Sequence, residues 1–228
     1  MISLRMLVTS ISCAAFFCPL VTAQDLARYR DFQFGMSLES VVKQLHLNSA
    51  DARTIHQRPA LIQTLQWDQL RYSELPVKAD SLRNVRFDFY GGELYKMVVT
   101  YDPVGTEGLT TDDMIEAISS VYGPATKPER TIKVSGSPVY DDNQKVLAVW
   151  ENAQYSYNLF QSPYGNTFGL VAFSKEFDLL ASDSSREADR LDKLEAPGKE
   201  LARQVKQEED KRVAQEKARV ISKPKFRP

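Results

Sequence analysis

Residues 85–101 read VRFDFYGGELYKMVVTY, and this stretch decides the fold. Val85, Phe87 and Phe89 alternate with polar side chains, and a second β-type run follows the paired glycines Gly91 and Gly92. Alternation of this kind places one face of a strand against a core, and glycine accepts the positive φ angles of a tight turn. The stretch therefore predicts an antiparallel β-hairpin.

The register of this hairpin has two solutions. With a two-residue turn, Leu94 and Val98 share the face of Phe87. With a three-residue bulged turn, a different set shares that face: Tyr95, Met97 and Val99. The alternation alone leaves both solutions open.

Two helix starts in the chain are built alike. Ser37 is placed to cap a helix whose apolar side chains recur at helical spacing. Thr110 and Asp113 have the spacing of a capping box, and Gly123-Pro124 ends the apolar stripe that follows them. Each helix is therefore predicted to bury one face.

A second sheet is predicted after the second helix. Residues 125–136 are polar and contain proline, which indicates a connector. Four β-type segments then alternate with turn residues, at positions 139–140, 145–150, 154–160 and 167–173. Together they predict a four-stranded antiparallel meander.

An internal offset relates the two halves of this pattern. The helix starts at Met36 and Leu109 are 73 positions apart, and the same offset carries Phe87 onto Phe160. We therefore expect an α+β fold of two helix-plus-antiparallel-meander units. The units span about residues 32–103 and 104–181. Few of the paired residues are identical, so tandem duplication and separate origin both remain open.

Residues 1–23 are predicted to be a cleavable secretory signal peptide. Arg5 precedes an apolar stretch that ends at Leu20, and Ala23 closes the motif that a signal peptidase reads. Cleavage is expected between Ala23 and Gln24. The stretch is interrupted by serine and proline and falls short of the roughly 20 apolar residues of a membrane span. We therefore expect a periplasmic or secreted protein with no transmembrane span after cleavage.

Both cysteines, Cys13 and Cys18, lie within this signal segment. The exported domain, which would begin at Gln24, is then free of cysteine. This expectation excludes disulfide scaffolds, thiol chemistry and cysteine metal sites for that domain.

The pattern resembles two families of exported proteins. The helix start Phe34-Gly35-Met36-Ser37, followed by the hairpin at residues 87–99, is similar to the units of the β-lactamase inhibitor proteins and of BamE, a small outer-membrane assembly lipoprotein. The resemblance covers residues 32–174 and implies a tandem helix-plus-sheet fold. The chain departs from both families, since the inhibitors usually carry disulfides and BamE carries a lipid anchor.

Residues 182–228 differ in composition from the body that precedes them. Residues 24–185 carry 15 basic and 21 acidic side chains, whereas residues 186–228 carry 13 and 9. Helix formers dominate residues 185–220, except at Pro197-Gly198, where a break is expected. The segment is predicted to be a charged, helical or disordered tail. It is either a solvated helix or a basic contact for anionic lipid, cell-wall polymer or a partner helix.

No residue pattern in the chain predicts catalysis, a metal or a cofactor. His46 ends the first helix, where a capping role is expected, and His56 lies in a predicted loop without a second histidine at ligand spacing. Asp141-Asp142-Asn143 opens like a calcium loop, but the glycine and glutamate that such a loop needs are missing. We therefore interpret it as a hairpin turn.

Five aromatic residues of the second sheet form the predicted binding surface: Trp150, Tyr155, Tyr157, Tyr164 and Phe168. Alternation should bury about half of them and leave the rest to contact proteins or glycans. We expect a non-enzymatic protein-binding or envelope-assembly module. Its expected partner is another exported or envelope protein, and not a nucleic acid.

The alternative is a wall- or glycan-directed hydrolase. Such an enzyme would use His56 or a pair of carboxylates that the fold brings together. The candidates for that pair are Asp88, Glu93, Asp102 and Glu151.

Overall fold

The predicted hairpin lies near the centre of an eight-stranded antiparallel sheet. A computed structural model describes residues 25–69, 81–134, 143–162, 167–225 and 227. A two-stranded sheet and three helices complete the fold within these residues, which confirms the predicted α+β class. The predicted signal segment, with its cleavage pair Ala23 and Gln24, lies outside the described residues.

The elements follow one another in this order. The strands are β1 Arg28–Tyr29, β2 Phe32–Gln33, β3 Arg53–His56, β4 Ile62–Asp68, β5 Leu82–Tyr90, β6 Glu93–Tyr101, β7 Thr131–Lys133, β8 Asn143–Glu151, β9 Tyr155–Gln161 and β10 Phe168–Ser174. The helices are α1 Leu38–Gln44, α2 Thr111–Tyr122 and α3 Lys175–Ser222. α3 thus begins at the residue after β10.

The large sheet joins two meanders edge to edge. Its strand order is β3-β4-β5-β6-β10-β9-β8-β7, and neighbouring strands are antiparallel. β6 pairs with β10, with Val99 opposite Leu170, so the last strands of the two meanders meet in the middle. α1 precedes the first meander and α2 precedes the second. Both predicted helix-plus-meander units are therefore present.

The offset seen in the sequence reappears in the element bounds. α1 begins at Leu38 and α2 at Thr111, while β5 begins at Leu82 and β9 at Tyr155, so both pairs of elements are 73 positions apart. Equivalent elements thus occupy equivalent places in the two units. Tandem duplication of one ancestral unit stays a prediction.

The hairpin of β5 and β6 combines features of both predicted registers. The paired glycines, both with positive φ, form a two-residue turn next to which Phe89 pairs with Leu94. A bulge then inserts Tyr95, so that Phe87 pairs with Met97. Because the extra residue reverses the alternation, Leu94 and Met97 share the main core while Tyr95 lies on the opposite face.

Three strands of the large sheet lie where the sequence predicted none. β7 falls in the predicted connector, and the strand predicted at 139–140 lies outside the described residues. β3 is an exposed edge strand. β4 buries Leu65 on one face of the sheet and Ile62 on the other. These strands therefore lack the strict alternation by which the central hairpin is recognised.

The main core lies between α1 and α2 and one face of the sheet, which we call the inner face. Val41 of α1 and Ile118 of α2 pack there in one cluster with Phe87 and Leu170 of the strands. Full burial of such a side chain stabilises the fold by about 1.5–3 kcal/mol. The two short helices therefore owe their stability to this face and not to their length.

Both helices begin at the predicted caps. At α1, the Ser40 N–H donates to the Ser37 hydroxyl at 3.2 Å. At α2, the Asp113 N–H donates to Thr110 Oγ1 at 3.2 Å, and the Thr110 N–H donates to Asp113 Oδ2 at 2.7 Å. Hydrogen bonds from Thr110 lower the pKa of the Asp113 carboxyl. Gly123, with a φ of 82°, ends α2 as predicted.

α3 lies on the opposite face of the sheet, the outer face, and then leaves the body. It runs without interruption from Lys175 to Ser222 and includes Pro197. The break predicted at Pro197-Gly198 is therefore wrong, and the helix begins ten residues before Ser185, from which helix formers dominate the sequence. No side chain caps the first turn after Ser174, so the start of the helix has no motif in the sequence. The boundary predicted at residue 182 lies inside this helix.

Candidate binding surface

The predicted aromatic surface is mostly core. Trp150, Tyr157 and Phe168 are at most 3% exposed and belong to the inner core, so the prediction that they form a surface is wrong. Tyr155 is half-buried and stacks on Phe34, with ring centroids 5.2 Å apart. Tyr164 lies outside the described residues. The four described side chains are buried or half-buried because they pack in the layer between the sheet and the helices α1 and α2.

Trp150 and Tyr157 attach α2 to the sheet. The Trp150 Nε1–H donates to the Gly123 carbonyl at 2.9 Å and to the Ser119 hydroxyl at 3.1 Å. The rings of Tyr157 and Tyr122 pack with centroids 4.7 Å apart. Burial raises the pKa of Tyr122 to about 12 and also raises the pKa of Tyr157. Both phenols are therefore protonated at neutral pH.

The two histidines lie at the ends of secondary-structure elements. His46 follows the C-cap of α1 with a φ of 53°, and its N–H donates to the Lys43 carbonyl at 3.2 Å. That position agrees with the predicted cap. His56 ends the edge strand β3, so its predicted place in a loop is wrong. Among the described residues, no three histidine, cysteine or acidic side chains gather closely enough to hold a metal ion.

The four carboxylates of the hydrolase alternative lie on three strands of the large sheet or beside them. Three strands separate Asp88 on β5 from Glu151 on β8. At the usual strand spacing they are about 19 Å apart, whereas a glycosidase pair needs about 5–10 Å. Glu93 begins β6, and Asp102 follows its other end. The fold therefore brings neither Asp88 and Glu151 nor Glu93 and Asp102 together as a pair.

Two of these carboxylates have charged partners in the protein. Asp88 accepts hydrogen bonds from Arg86 Nε at 3.0 Å and from Thr64 Oγ1 at 2.8 Å. Burial would raise the pKa of Glu151, but Lys175, 3.0 Å away, together with Arg130 and Ser156 outweighs burial and lowers it. Glu151 is therefore ionised at neutral pH, and its charge is balanced within the fold.

The first part of α3, residues 175–195, is its docked half. Ala181 and Ala188 lie seven positions apart on one side of the helix, and each is 3% exposed. Phe177 packs against Tyr90 of β5, with ring centroids 6.1 Å apart. Small side chains at the two alanine positions allow the helix to approach the outer face closely.

Ion pairs at both ends of the docked half join it to the sheet. Asp178 accepts a hydrogen bond from Lys96 Nζ at 3.1 Å. Near the other end, Arg58 holds Glu195 with two hydrogen bonds of 2.6 and 2.5 Å. Hydrogen bonds from Arg58 and from Lys199 lower the pKa of Glu195 to about 2. Residues 175–195 are thus fixed to the body along their length.

The second part of α3, residues 196–222, is its projecting half. Every residue in it is exposed. Its ion pairs join residues of the helix to one another, as in Arg203 with Glu200 at 2.9 Å. No helix in the described part of the chain has the length and apolar character to cross a membrane. The projecting half is therefore a solvated helix supported by the docked half.

An apolar stripe begins at the junction of the two halves. Leu194, Leu201 and Val205 are each more than half exposed, and their spacing of seven and four residues places them on one side of the helix. We call this set the 194–205 stripe. A stripe of this spacing is the surface by which one helix packs against another. Comparison of the chain with protein-family models, with curated proteins and with solved structures finds no match.

Proposed function

We propose that the protein is an exported, non-enzymatic binding module of the cell envelope, which presents the projecting half of α3 to another envelope protein. The observation that carries the proposal is the 194–205 stripe on a helix that extends beyond the body. At 1.5 Å per residue, residues 196–222 extend for about 40 Å. The body fixes the base of this helix, and the helix offers the contact surface.

The occupant that fits the 194–205 stripe is an apolar stripe on a helix of the partner. Exposed apolar side chains on a solvated helix gain stability when they leave water. Lys199, Glu200 and Arg203 lie beside Leu201 and are exposed. Charged residues that flank an apolar seam set the choice and the orientation of a partner helix. The stripe and its flanks therefore fit a helical protein partner.

The resemblance to the β-lactamase inhibitor proteins and to BamE points in the same direction. Families of inhibitors and of assembly factors work by binding other proteins. The export expected from residues 1–23 would bring this chain to the same compartment. The partner that we propose is accordingly an exported or envelope protein.

The proposal is tested with a photo-crosslinking amino acid placed at position 201 of the full chain, in the native cells. The matched control has the same amino acid at position 104, because Val104 is 78% exposed on the body and Leu201 is 64% exposed on α3. We expect a discrete, saturable adduct from position 201 and none of that size from position 104. The double change Val205→Asp and Leu194→Asp should reduce the adduct about tenfold or more, since charges replace the apolar contacts.

Two results contradict the proposal. One is the absence of a discrete adduct from position 201 while the chain is folded and present in the envelope fraction. The other is the same adduct from both positions, because the body would then carry the binding surface.

A further inference from the structure

The last turns of α3 differ in charge from the rest of the projecting half. Residues 199–210 carry three basic and four acidic side chains, whereas residues 211–225 carry six basic and one acidic. The single acid, Glu216, is paired with Arg219 at 2.8 Å. All residues of 211–225 are exposed. This end of the helix is thus a concentrated positive surface, which we call the basic end.

The basic end is also amphipathic. Arg212, Arg219 and Lys223 are spaced by seven and four residues, so they form a row along one side of the helix. Val213 and Val220 form an adjoining row, one position further round, and together with Ile221 they line a shallow apolar depression. Glu216 lines that depression too, and so does the Lys217 side chain. Its aliphatic stem can lie along apolar surface while its ammonium remains in water.

We infer that the basic end binds the surface of a membrane that contains anionic phospholipids. A cluster of four to eight Lys and Arg residues on an amphipathic helix is the arrangement that anionic lipid headgroups attract. Six basic side chains and one acidic side chain give residues 211–225 a net charge of +5, which complements the lipid phosphates. The apolar row then enters the headgroup layer, as in helices that lie in the plane of a membrane.

The adjoining apolar row favours lipid over a soluble acidic polymer. A polyanion is held by charge alone, so it gains nothing from Val213, Val220 and Ile221. A lipid surface uses both rows at once, because headgroups and acyl chains lie within about 10 Å of each other. The inference goes beyond the proposed function and does not depend on the 194–205 stripe.

The test measures sedimentation of the full chain with two kinds of vesicle. One is made of phosphatidylcholine alone, and the other is phosphatidylcholine mixed with phosphatidylglycerol. We expect binding to the mixed vesicles only, and we expect it to weaken as salt is added. Each basic side chain near an anionic surface strengthens binding about fivefold. The triple change Arg212→Gln, Arg219→Gln and Lys223→Gln should therefore weaken binding about a hundredfold.

A matched control removes three basic residues from the preceding turns: Lys199→Gln, Arg203→Gln and Lys206→Gln. We expect this control to weaken binding less than the triple change does, because the three residues lie outside the basic end and its apolar row. The double change Val220→Ser and Ile221→Ser should weaken binding about tenfold. The changed positions are exposed, and circular dichroism verifies that each variant keeps its helix content.

Three outcomes overturn the inference. Equal binding to both vesicles removes the role of anionic lipid. Equal loss in the triple variant and its control shows that the basic end is not special. Unchanged vesicle binding by the Val220→Ser, Ile221→Ser variant, with full competition by soluble polyphosphate, indicates an acidic-polymer site. The change Val205→Asp with Leu194→Asp, made in the chain that carries the crosslinking amino acid at position 201, should reduce the protein adduct about tenfold or more and leave vesicle binding intact, so the two proposals fail separately.

Discussion

The docked and projecting halves of α3 form one continuous helix, but different interactions stabilise them. In the docked half, Ala181 and Ala188 are buried on the sheet, and Asp178 pairs with Lys96 of β6. In the projecting half, the stabilising contacts are pairs within the helix, such as Arg203 with Glu200. Such pairs contribute only about 0.2–0.5 kcal/mol each. The comparison shows that tertiary contacts fix the base of the helix, whereas its extension depends on local interactions.

The largest expected effect concerns the junction between the halves. Pro197 lacks the N–H that a helix interior uses, and Gly198 is flexible, so together they cost about 4 kcal/mol relative to alanine. The double change Pro197→Ala and Gly198→Ala should therefore strengthen the projecting half. We expect hydrogen exchange of amides 199–222 to slow strongly while amides 175–195 change little. Equal slowing in both segments would show that the halves are not energetically distinct.

The second-largest effect concerns the same substitution at a buried alanine of the docked half and at an exposed alanine of the projecting half. Ala181→Arg places a charge in the contact between the docked half and Ile62 and Tyr95. We expect it to destabilise the fold by about 2–3 kcal/mol and to lower Tm by about 5–10 °C. The matched change Ala202→Arg, on the exposed projecting half, should alter stability by less than about 0.5 kcal/mol. Similar Tm values for both variants would contradict the docking of residues 175–195.

A smaller difference is expected between two aspartates of the docked half. Asp178 pairs with Lys96, whose side chain is 16% exposed, whereas Asp183 pairs with Arg186 of the same helix in full contact with solvent. Asp178→Asn should cost about 1 kcal/mol, because it leaves a partly buried ammonium without its charge partner. Asp183→Asn should cost about 0.3 kcal/mol or less. The urea midpoints of the two variants measure this difference, and equal midpoints would contradict it.

The smallest effect is an acid-induced loosening near Glu195. Hydrogen bonds from Arg58 and Lys199 lower its pKa to about 2, below the value of about 4.3 in an unfolded chain. A lowered pKa contributes stability that is fully present above about pH 4.3 and is lost as the pH falls towards about 2. Fluorescence energy transfer between labels at positions 57 and 196 should report the change over that window. Glu195→Gln should flatten the profile, and an unaltered profile would contradict the role of this pair.

The sequence predicted those parts of the fold that local rules determine. The hairpin around Gly91 and Gly92, the Ser37 cap and the Thr110–Asp113 capping box each depend on residues that are close in the chain. The bulge at Tyr95 was harder to predict from the sequence. A bulge leaves the apolar composition of a strand unchanged and changes only the face of the sheet on which each side chain lies. The edge strand β3 carries no apolar alternation, since nearly all of it is exposed.

The candidate site was predicted only in part, for a related reason. The charged composition of residues 182–228 indicated a helix, but its base depends on contacts with distant residues such as Arg58 and Lys96. Long-range contacts of this kind leave no local spacing to recognise. The prediction of an aromatic surface was wrong because β9 and β10 are buried on both faces of the sheet. Alternation along these strands therefore does not separate core from surface residues.

The central claim is that binding resides in the projecting half of α3 and that the body is its support. A competition experiment tests it most directly, with the crosslinking amino acid at position 201 of one copy of the chain. Excess full-length chain, and excess chain that lacks residues 199–228, are supplied as competitors in parallel. We predict that the full-length chain suppresses the adduct and that the shortened chain does not, although both keep the same Tm. Equal suppression by the shortened chain would contradict the account, because the body would then bind the partner by itself.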